Sequence, residues 1–376
     1  MWWLIIPVVI YSVGIFVLWL ILRRRRGEDP APVTGQPKIS VVVAARNEEK
    51  TITALLESLA VQDYPGDLLE IIIVNDNSTD RTPIVVSEFI SEYRQRTGLN
   101  IRLIYNTFQG KKSAVRYGIE KSTGELIMTT DADCVVEPGW VRAFASFYAR
   151  TGADMILGEV CQRPDKGFVS LFGRLEFSAL QAITEAAVVA GRPVMCNAAN
   201  MAIKRDVYLK YSGALRDDIP SGDDIFLLHA VKRGGGTIRY VADRAAAVVT
   251  AGAVTAAALF RQRARWASKA YYYRDGATLT LAAATAACNA AVTAAALASV
   301  ISFKCLPLLA LMYIIRSVPD YLITYRNLRK KEERPPLPLF ILSELIYPFY
   351  FVAVAMLTLL PSSRRFRSFN PYGVEM

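Results

Sequence analysis

The sequence predicts an α/β fold with a mostly parallel sheet that carries helices on both faces, plus transmembrane α-helices at both ends. Two observations lead to this class. Short apolar runs alternate with helical segments from Lys38 to Thr130, a spacing typical of parallel sheets. The apolar excess, with 53% hydrophobic residues and a mean hydropathy of +0.25, is concentrated at the two ends of the 376-residue chain.

The terminal segments are predicted to span a membrane. Residues 1–26 form an N-terminal anchor, because Trp2 to Leu22 is apolar and the arginine cluster at 23–26 follows the apolar run instead of preceding it. This order predicts an uncleaved helix with its N-terminus outside. Residues 276–361 contain three more candidate spans, at 279–301, 305–325 and 337–360, and residues 362–376 form a basic tail. Within the second of these spans, Arg316 and Asp320 lie one turn apart and are expected either to pair or to lie at the interface.

Between a proline-rich linker at 28–37 and residue 275, the sequence predicts one catalytic domain, 38–275. The predicted strands are 39–45, 70–74, 101–105 and 126–130. The predicted helices are 47–61, a helix capped by Ser78 or Thr79 that runs to Arg96, and 111–121. Further along, 168–189 is a long apolar helix, either in a core or along the membrane surface; 194–203 is a strand and turn; and 256–273 is a helix.

Composition excludes several classes of site. The five cysteines form no C-x-x-C pair, which fits a reducing compartment, and the presence of a single histidine, His229, argues against a histidine-rich zinc site or a Ser-His-Asp triad. The net charge of +10 lies largely beside the apolar runs, which favours anionic lipid over nucleic acid as its partner. The first strand runs into Ala44-Ala45-Arg46-Asn47 without the G-x-G-x-x-G of a nicotinamide dinucleotide site.

Two carboxylates, Asp131 and Asp133, follow the fourth predicted strand. Alternate residues of an extended chain face the same side, so both acids are expected to face one ligand. Carboxylate oxygens suit Mg²⁺ or Mn²⁺, particularly where phosphates complete the coordination. Because ligands bind beyond the carboxyl ends of parallel strands, Asn47 and Asp76 are expected near the same edge.

Two later motifs each have two interpretations. Asp223 and Asp224 follow Ser221-Gly222 at the start of a helix, where they are either helix-capping acids or part of a catalytic site. Gln262, Arg265 and Trp266 share one face of a helix, which is either a solvated basic helix or a guanidinium for phosphate with an indole for a sugar ring.

With these motifs together, the chain resembles the family 2 glycosyltransferases of the GT-A fold, and within them the membrane-embedded branch that includes ceramide glucosyltransferases and cellulose, chitin and hyaluronan synthases. The resemblance covers about Lys38 to Tyr273 and the flanking spans. It rests on four ordered motifs: Val74-Asn75-Asp76-Asn77-Ser78, Asp131-Ala132-Asp133, Asp223-Asp224 and Gln262-Arg263-Ala264-Arg265-Trp266.

The resemblance implies a role for each matched residue. On the nucleotide side it implies donor contacts from Ala44, Arg46, Glu48, Asp76 (at the uracil ring), Lys111, Asp131 and Arg265 (at the diphosphate). It implies metal binding by Asp131 and Asp133, a general base at Asp224 beside Asp223, and acceptor contacts from Gln262 and Trp266. The family's usual glycine near 197–200 is replaced by Ala198 or Ala199, and its acid before the Q-x-x-R-W helix is absent around 250–253, so the shape of the acceptor side departs from the pattern.

The implied function is an inverting, metal-dependent transfer of a sugar, with a UDP-sugar as donor, Mg²⁺ or Mn²⁺ as cofactor and a membrane-embedded lipid as acceptor. A processive polysaccharide synthase is the alternative, and a membrane-anchored nucleotide-binding protein without turnover is a third. The expected location is a bacterial inner (plasma) membrane with the catalytic domain in the cytoplasm.

Overall fold

The computed structural model describes residues 1–25, 35–97, 99–216, 219, 222–330, 333 and 336–359. Their contacts divide the chain into two compact units. We call the described residues of Met1–Gly27, Pro164–Val194 and Gly252–Arg367 the helical unit, and those of Glu28–Arg163 and Met195–Ala251 the sheet unit. Most of the predicted linker, the basic tail and Ser221 lie outside the described residues.

The helices are, in chain order, α1 (Ile5–Arg24), α2 (Ile52–Ala60), α3 (Thr82–Thr97), α4 (Lys111–Glu120), α5 (Trp140–Thr151), α6 (Phe168–Val189), α7 (Arg205–Tyr211), α8 (Asp223–Arg233), α9 (Ala256–Ala267), α10 (Gly276–Ile301), α11 (Leu306–Arg329) and α12 (Leu337–Leu359). Short 3₁₀ turns occupy Trp2–Leu4, Ala198–Asn200, Ser212–Ala214, Arg244–Ala246, Ser268–Tyr272 and Phe303–Cys305. The strands are β1 (Ile39–Ala45), β2 (Leu69–Asn75), β3 (Asn100–Tyr105), β4 (Leu126–Thr129), β5 (Val135–Val136), β6 (Met155–Leu157), β7 (Val160–Gln162), β8 (Met201–Lys204), β9 (Ile238–Tyr240) and β10 (Val248–Thr250).

The sheet unit is built on a seven-stranded sheet in the order β3-β2-β1-β4-β8-β6-β9. All of its neighbouring pairs are parallel except the two that involve β8, which runs antiparallel to β4 and β6. Every residue of β1, β2 and β4 is buried, because helices cover both faces of these apolar strands. A second sheet has the order β5-β10-β7. The predicted α/β class with a mostly parallel sheet is therefore confirmed.

Helix α4 lies unusually close to the central sheet. A Cβ atom added to Gly118 would lie 2.5 Å from Cγ1 of Val42 on β1 and 2.9 Å from Cγ2 of Val74 on β2. Only glycine therefore permits this approach, since any side chain would push the helix off the strands. The close packing fixes the position of α4, whose first turn carries Lys111 and Lys112.

The helical unit contains four helices long and apolar enough to cross a membrane: Trp2–Arg24, Gly276–Ile301, Phe303–Arg329 and Leu337–Thr358. Their number agrees with the predicted spans. Helix α6 has the predicted bounds and is buried along most of its length, packing against α1 and α11, so it is a core helix of this unit. Helix α9 also belongs here, because Leu259 packs with Phe172 of α6 and with Tyr350 and Val354 of α12. Residues 164–194 and the described residues from 252 onwards belong to the helical unit. The continuous catalytic domain 38–275 stays a prediction.

A polar cluster joins three of the candidate spans inside the helical unit. Arg316 Nε lies 3.4 Å from Asp320 Oδ2, which confirms the pairing alternative for these two residues, and Arg316 Nη2 lies 3.6 Å from Glu344 Oε2. The Tyr11 hydroxyl donates to Asp320 Oδ1 at 2.8 Å. The Arg316 side chain is only 1% exposed, so its charge is held by these partners and not by solvent.

Two helix starts were placed too early from the sequence. Helix α2 begins at Ile52 and not at Asn47, because Asn47 has a φ of +56°, outside the helical range. Helix α3 begins at Thr82, so Ser78 and Thr79 do not cap it. Their side chains and main chain instead bind the loop that follows β1, as described below.

Candidate active site

The loops that follow β1 and β2 are interlocked at the carboxyl edge of the sheet. The Asn47 N–H donates to Ser78 Oγ at 3.1 Å, and the Thr79 N–H donates to Asn47 Oδ1 at 2.8 Å. The Glu48 N–H donates to Thr82 Oγ1 at 2.8 Å. These bonds replace the helical bonds that the sequence suggested for both segments, and they hold Glu48 at the site's edge. Of the other residues predicted here, Ala44 is buried in β1 and Arg46 is half-buried just beyond it.

Asp76 is fully buried where β2 ends. Its Oδ1 accepts the Asn106 side-chain amide at 3.0 Å and the Gly110 N–H at 2.9 Å. Its Oδ2 is also buried, and among the described residues it has no hydrogen-bond partner. A buried carboxylate oxygen without a donor is costly, so this atom is suited to accept a hydrogen bond from a bound ligand.

Asp131 pairs with Lys111. The Lys111 ammonium lies 2.5 Å from Asp131 Oδ1, so helix α4 and the end of β4 meet here. The chain after β4 is a turn, in which the Cys134 N–H donates to the Asp131 carbonyl at 3.1 Å. The sequence predicted that an extended chain would direct both acids to one ligand. This prediction of an extended chain is wrong, because β4 ends at Thr129, before the two acids.

The two acids nevertheless interact, together with Glu48. Burial, and next the charge of Asp131, raise the pKa of Asp133; the Thr250 hydroxyl, which donates to Asp133 Oδ2 at 3.1 Å, and the Lys111 charge act in the opposite direction. Burial also raises the pKa of Glu48, opposed by its hydrogen bond from Thr51 and reinforced by the charges of Asp133 and Asp131. The site thus concentrates negative charge that a cation would relieve.

The described residues contain no group of three His, Cys, Asp or Glu side chains arranged to hold a metal ion. Mg²⁺ is commonly held by one or two carboxylates together with substrate phosphates, so a dyad is sufficient when a diphosphate is bound. Asp131 and Asp133 fit this arrangement, since their mutual repulsion is only partly balanced by Lys111.

The acid pair at the start of α8 reaches the same region of the sheet unit. A small cavity is lined by Lys111, Asp131, Leu215 and Asp223, among other residues. Asp224 is half-buried, and its Oδ1 accepts the N–H of Ile225 at 2.8 Å. Asp223 is therefore the member of the pair that faces the Asp131 side in this structure.

The Q-x-x-R-W residues belong to the helical unit, on α9. Arg263 and Ala264 are the buried residues of this motif. The Nε atom of Arg263 lies 2.8 Å from Glu176 Oε2 of α6, and its guanidinium carbon lies 4.2 Å from the centre of the Trp266 ring. Gln262 accepts a 2.5 Å hydrogen bond from Arg263, and Arg265 is half-buried. The roles implied for Gln262, Arg265 and Trp266 stay predictions.

Sequence reasoning missed four residues that shape these regions: Asn106, Lys112, Thr250 and Arg263. Each is more than nine-tenths buried or bonded to a predicted site residue. Arg263 lies within Q-x-x-R-W, but at a position where the motif specifies no residue type. A pattern signal existed only for Lys112, as the second lysine after Gly110 at the start of a predicted helix.

The sheet unit has an acid turn after β4 and an acid pair at the start of α8, and the helical unit contains candidate membrane-spanning helices. The family described as "Glycosyl transferase family 2" matches residues 40–211, and "Glycosyl transferase family group 2" matches residues 126–360. The chain belongs to the family 2 glycosyltransferases.

Curated relatives match over part of their length. The chain is 43% identical over 97 residues to the probable glycosyltransferase YdaM of Bacillus subtilis, covering 26% of this chain and 23% of that protein. It is 33% identical over 128 residues to a beta-monoglucosyldiacylglycerol synthase of Synechocystis, covering 32% and 26%. The chain thus spans about a quarter of the length of these two relatives.

A solved structure supports the fold. The mannosyltransferase PcManGT from Pyrobaculum calidifontis, in complex with GDP-Man and Mn²⁺, aligns with a TM-score of 0.60 over 95% of this chain and 98% of its own, at 21% identity. The chain therefore has the GT-A fold together with candidate membrane-spanning helices.

Proposed function

We propose that this glycosyltransferase moves a sugar, with inversion at the anomeric carbon, from a nucleoside diphosphate sugar to the hydroxyl of a membrane-embedded lipid. The observation that carries the proposal is the ion pair of Lys111 with Asp131, beside the half-buried Asp133, at the carboxyl edge of the sheet. This edge is where open α/β sheets bind nucleotides.

The donor's base is proposed to bind at Asp76. The buried Oδ2 of Asp76 accepts no hydrogen bond from the described residues, and the N–H group of uracil could donate one to it. We therefore propose a UDP-sugar, in agreement with the family resemblance. Guanine also presents N–H groups, and the structurally similar mannosyltransferase was solved with GDP-Man, so a GDP-sugar is the competing donor.

A divalent cation, Mg²⁺ or Mn²⁺, is proposed to be held by Asp131 and Asp133 together with the donor diphosphate. Bound there, it would stabilise the charge that develops on the leaving diphosphate. Lys111 sits where it balances Asp131 and contributes positive charge to the same leaving group. Glu48, at the edge of the site, is proposed to contact the nucleoside.

The reaction needs a carboxylate to take the acceptor's proton. In the proposed step the acceptor oxygen forms a bond to the anomeric carbon, the bond from that carbon to the diphosphate oxygen breaks, and the nucleoside diphosphate leaves with the electron pair. The acceptor proton passes to Asp224, the general base that we propose. Asp223, which lines the cavity beside Asp131, is the alternative base.

The acceptor is proposed to be a lipid, because a soluble acceptor requires no spanning helices and the described residues include four candidates. The names of two relatives support a lipid acceptor: they are the beta-monoglucosyldiacylglycerol synthases of Synechocystis and Nostoc, which are 33% and 34% identical over about a third of this chain. Gln262 and Trp266 are the proposed acceptor contacts, and Arg265 a proposed diphosphate contact.

The proposed location is the inner membrane of a bacterium with the sheet unit in the cytoplasm, where nucleotide sugars are made. Helix α1 ends with Arg23 and Arg24, and α11 with Arg326 and Arg329, so both carry positive charge at one end. Labelling of a single cysteine placed at Asp67 on an otherwise cysteine-free chain in intact cells tests the orientation. If this cysteine reacted with a membrane-impermeant thiol reagent before the cells were lysed, the cytoplasmic location of the sheet unit would be contradicted.

The decisive experiment is a donor panel with lipid extract. Purified enzyme is incubated with UDP- and GDP-sugars, Mg²⁺ or Mn²⁺ and native lipid, and products are identified by mass spectrometry, with Asp133→Asn as the inactive control. A single sugar on an organic-extractable lipid supports the proposal, while a long water-soluble ladder would indicate a polysaccharide synthase. No transfer and no release of nucleotide from any donor would contradict both.

A further inference from the structure

Lys112 is a buried cation that the proposed reaction does not use. Its side chain is directed away from solvent, and the residue is 7% exposed. The ammonium donates to the main-chain carbonyl of Leu215 at 2.7 Å and to that of Arg216 at 2.9 Å. It also lies 5.4 Å from the centre of the Phe226 ring on α8. One side chain of α4 thus holds both the segment before α8 and α8 itself.

The segment held by Lys112 leads to the acid pair. Arg216 has a φ of +56°, a conformation that an L-residue adopts only when its surroundings hold it there. The Ile219 N–H donates to the same Arg216 carbonyl at 3.0 Å, and the Leu215 side chain lines the cavity that Asp223 and Asp131 share. Leu215, whose carbonyl Lys112 binds, therefore lies beside Asp223 in this cavity.

Lys111 and Lys112 accordingly contact opposite sides of the site. Lys111 reaches Asp131, on the side of the donor and the metal, and Lys112 reaches the main chain that precedes Asp223. Both lysines stand on the first turn of α4, which Gly118 allows to lie directly on β1 and β2. The helix therefore joins the acid turn after β4 to the acid pair of α8.

We propose that Lys112 is a positioning residue for sugar transfer: it anchors the main chain at 215 and 216 so that the acids at the start of α8 stand at the correct distance from the donor. The proposal rests on the proposed function, in which one of these acids removes the acceptor's proton. Lys112 touches no reacting atom, so its loss affects the rate of transfer and leaves donor binding in place. A displacement of about 1 Å of a catalytic group lowers rates by up to about a hundredfold.

The test is Lys112→Met, which keeps the length of the side chain and removes the ammonium. We expect kcat to fall by about tenfold to a hundredfold, with the Kd for UDP and Mn²⁺ changed by less than about twofold. Hydrogen exchange of the main-chain amides in 212–216 is expected to quicken. Lys112→Arg, which retains a donor able to reach a carbonyl, is expected to recover part of kcat. The matched control is Lys121→Met, an exposed lysine at the end of the same helix, with wild-type values throughout.

Two outcomes would overturn the proposal. Wild-type kcat in Lys112→Met would show that the segment keeps its place without the ammonium. A loss of nucleotide affinity in proportion to kcat would make Lys112 a donor-site residue instead. Hydrogen exchange requires no turnover, so if the native enzyme transfers no sugar the proposed function fails separately, and unchanged exchange in 212–216 would still refute the anchoring.

Discussion

The Asp76 carboxylate accepts the main-chain N–H of Gly110 at 2.9 Å, although 34 residues separate them along the chain. This bond ties the end of β2 to the start of α4, so the residue proposed to read the base and the helix that carries Lys111 are held together. The other oxygen of Asp76 accepts no hydrogen bond from any residue that the structure describes. Asp76 thus makes a structural contact with one oxygen and, in the proposed function, contacts the base with the other.

Asp76→Asn separates these tasks. The amide keeps one oxygen for the Gly110 N–H, but it presents an NH₂ group where the ligand's N–H is proposed to donate. We expect the affinity for the nucleoside diphosphate to fall by about tenfold to a hundredfold, corresponding to roughly 1.5–3 kcal/mol for a hydrogen bond to a charged group. Isothermal titration with UDP and GDP measures it, and Asp67→Asn, at an exposed position, is the control. Unchanged affinity for both nucleotides would remove Asp76 from the base site.

Metal-dependent donor binding should weaken as the pH falls. The loss of affinity should begin at a higher pH than it would if the metal were bound by an aspartate with an ordinary pKa. Burial and the Asp131 charge raise the pKa of Asp133, and a metal binds the ionised carboxylate, so protons compete with the metal as the pH drops through that raised pKa. The Mn²⁺ affinity in the presence of UDP, measured between pH 5 and 8, tests this. A flat profile down to the usual aspartate range would contradict the role of Asp133.

Asp133→Asn should abolish metal-stimulated binding and still stabilise the metal-free protein at neutral pH. Because the pKa of Asp133 is raised in the folded state, its contribution to stability is present at low pH and is lost as the pH rises and the group ionises. A neutral amide removes the repulsion from Asp131. The melting temperature without metal is therefore expected to rise at pH 7.5, and the gain to vanish at pH 4. A lower melting temperature of Asp133→Asn at pH 7.5 would show that the ionised carboxylate of Asp133 is stabilised by its surroundings in the folded protein.

The two acids of α8 can be told apart by substitution. If Asp224 is the general base, Asp224→Asn lowers kcat by about 10²- to 10⁴-fold and leaves UDP affinity intact, whereas Asp223→Asn has the smaller effect. Single-turnover transfer with saturating donor measures it. The reverse order would assign the base to Asp223, the residue that lines the cavity beside Asp131.

Within the helical unit, Arg316→Met should destabilise the protein strongly. The substitution leaves Asp320 and Glu344 without their cation among the apolar helices, and breaking a buried pair costs about 3–5 kcal/mol. Combining Arg316→Met with Asp320→Asn and Glu344→Gln removes all three charges and is expected to restore most of the loss. Thermal unfolding in one detergent compares the variants. A triple variant no more stable than the single one would mean that the charges themselves are needed.

Much of this fold was predictable because its signals are local. The apolar runs of β1 and β2, the glycine before α4 and the uniform apolarity of 168–189 locate these elements to within a few residues. The reversed direction of β8 was not predictable, since a short apolar strand carries no sign of its orientation. The start of α2 was missed because Asn47 adopts a positive φ held by bonds from residues more than thirty positions away.

The candidate site was predictable as a set of residues but not as an arrangement. Asp131 and Asp133 were identified by their spacing, yet they lie in a turn whose shape depends on the bond from Cys134 to Asp131. Lys112 and Arg263 were overlooked because their partners, the carbonyls of 215 and 216 and the carboxylate of Glu176, come from distant parts of the sequence. Tertiary contacts of this kind leave no periodic pattern.

The absence of a side chain at Gly118 constrains how this enzyme can diversify. Loops at the sheet's edge tolerate insertions and exchanges, so new donors or acceptors can be accommodated there by ordinary drift. One additional methyl group beneath α4 would instead lift both lysines together and misalign donor and acceptor chemistry in the same step. Laboratory evolution towards other sugars should therefore accumulate changes in the loops and purge every substitution at position 118.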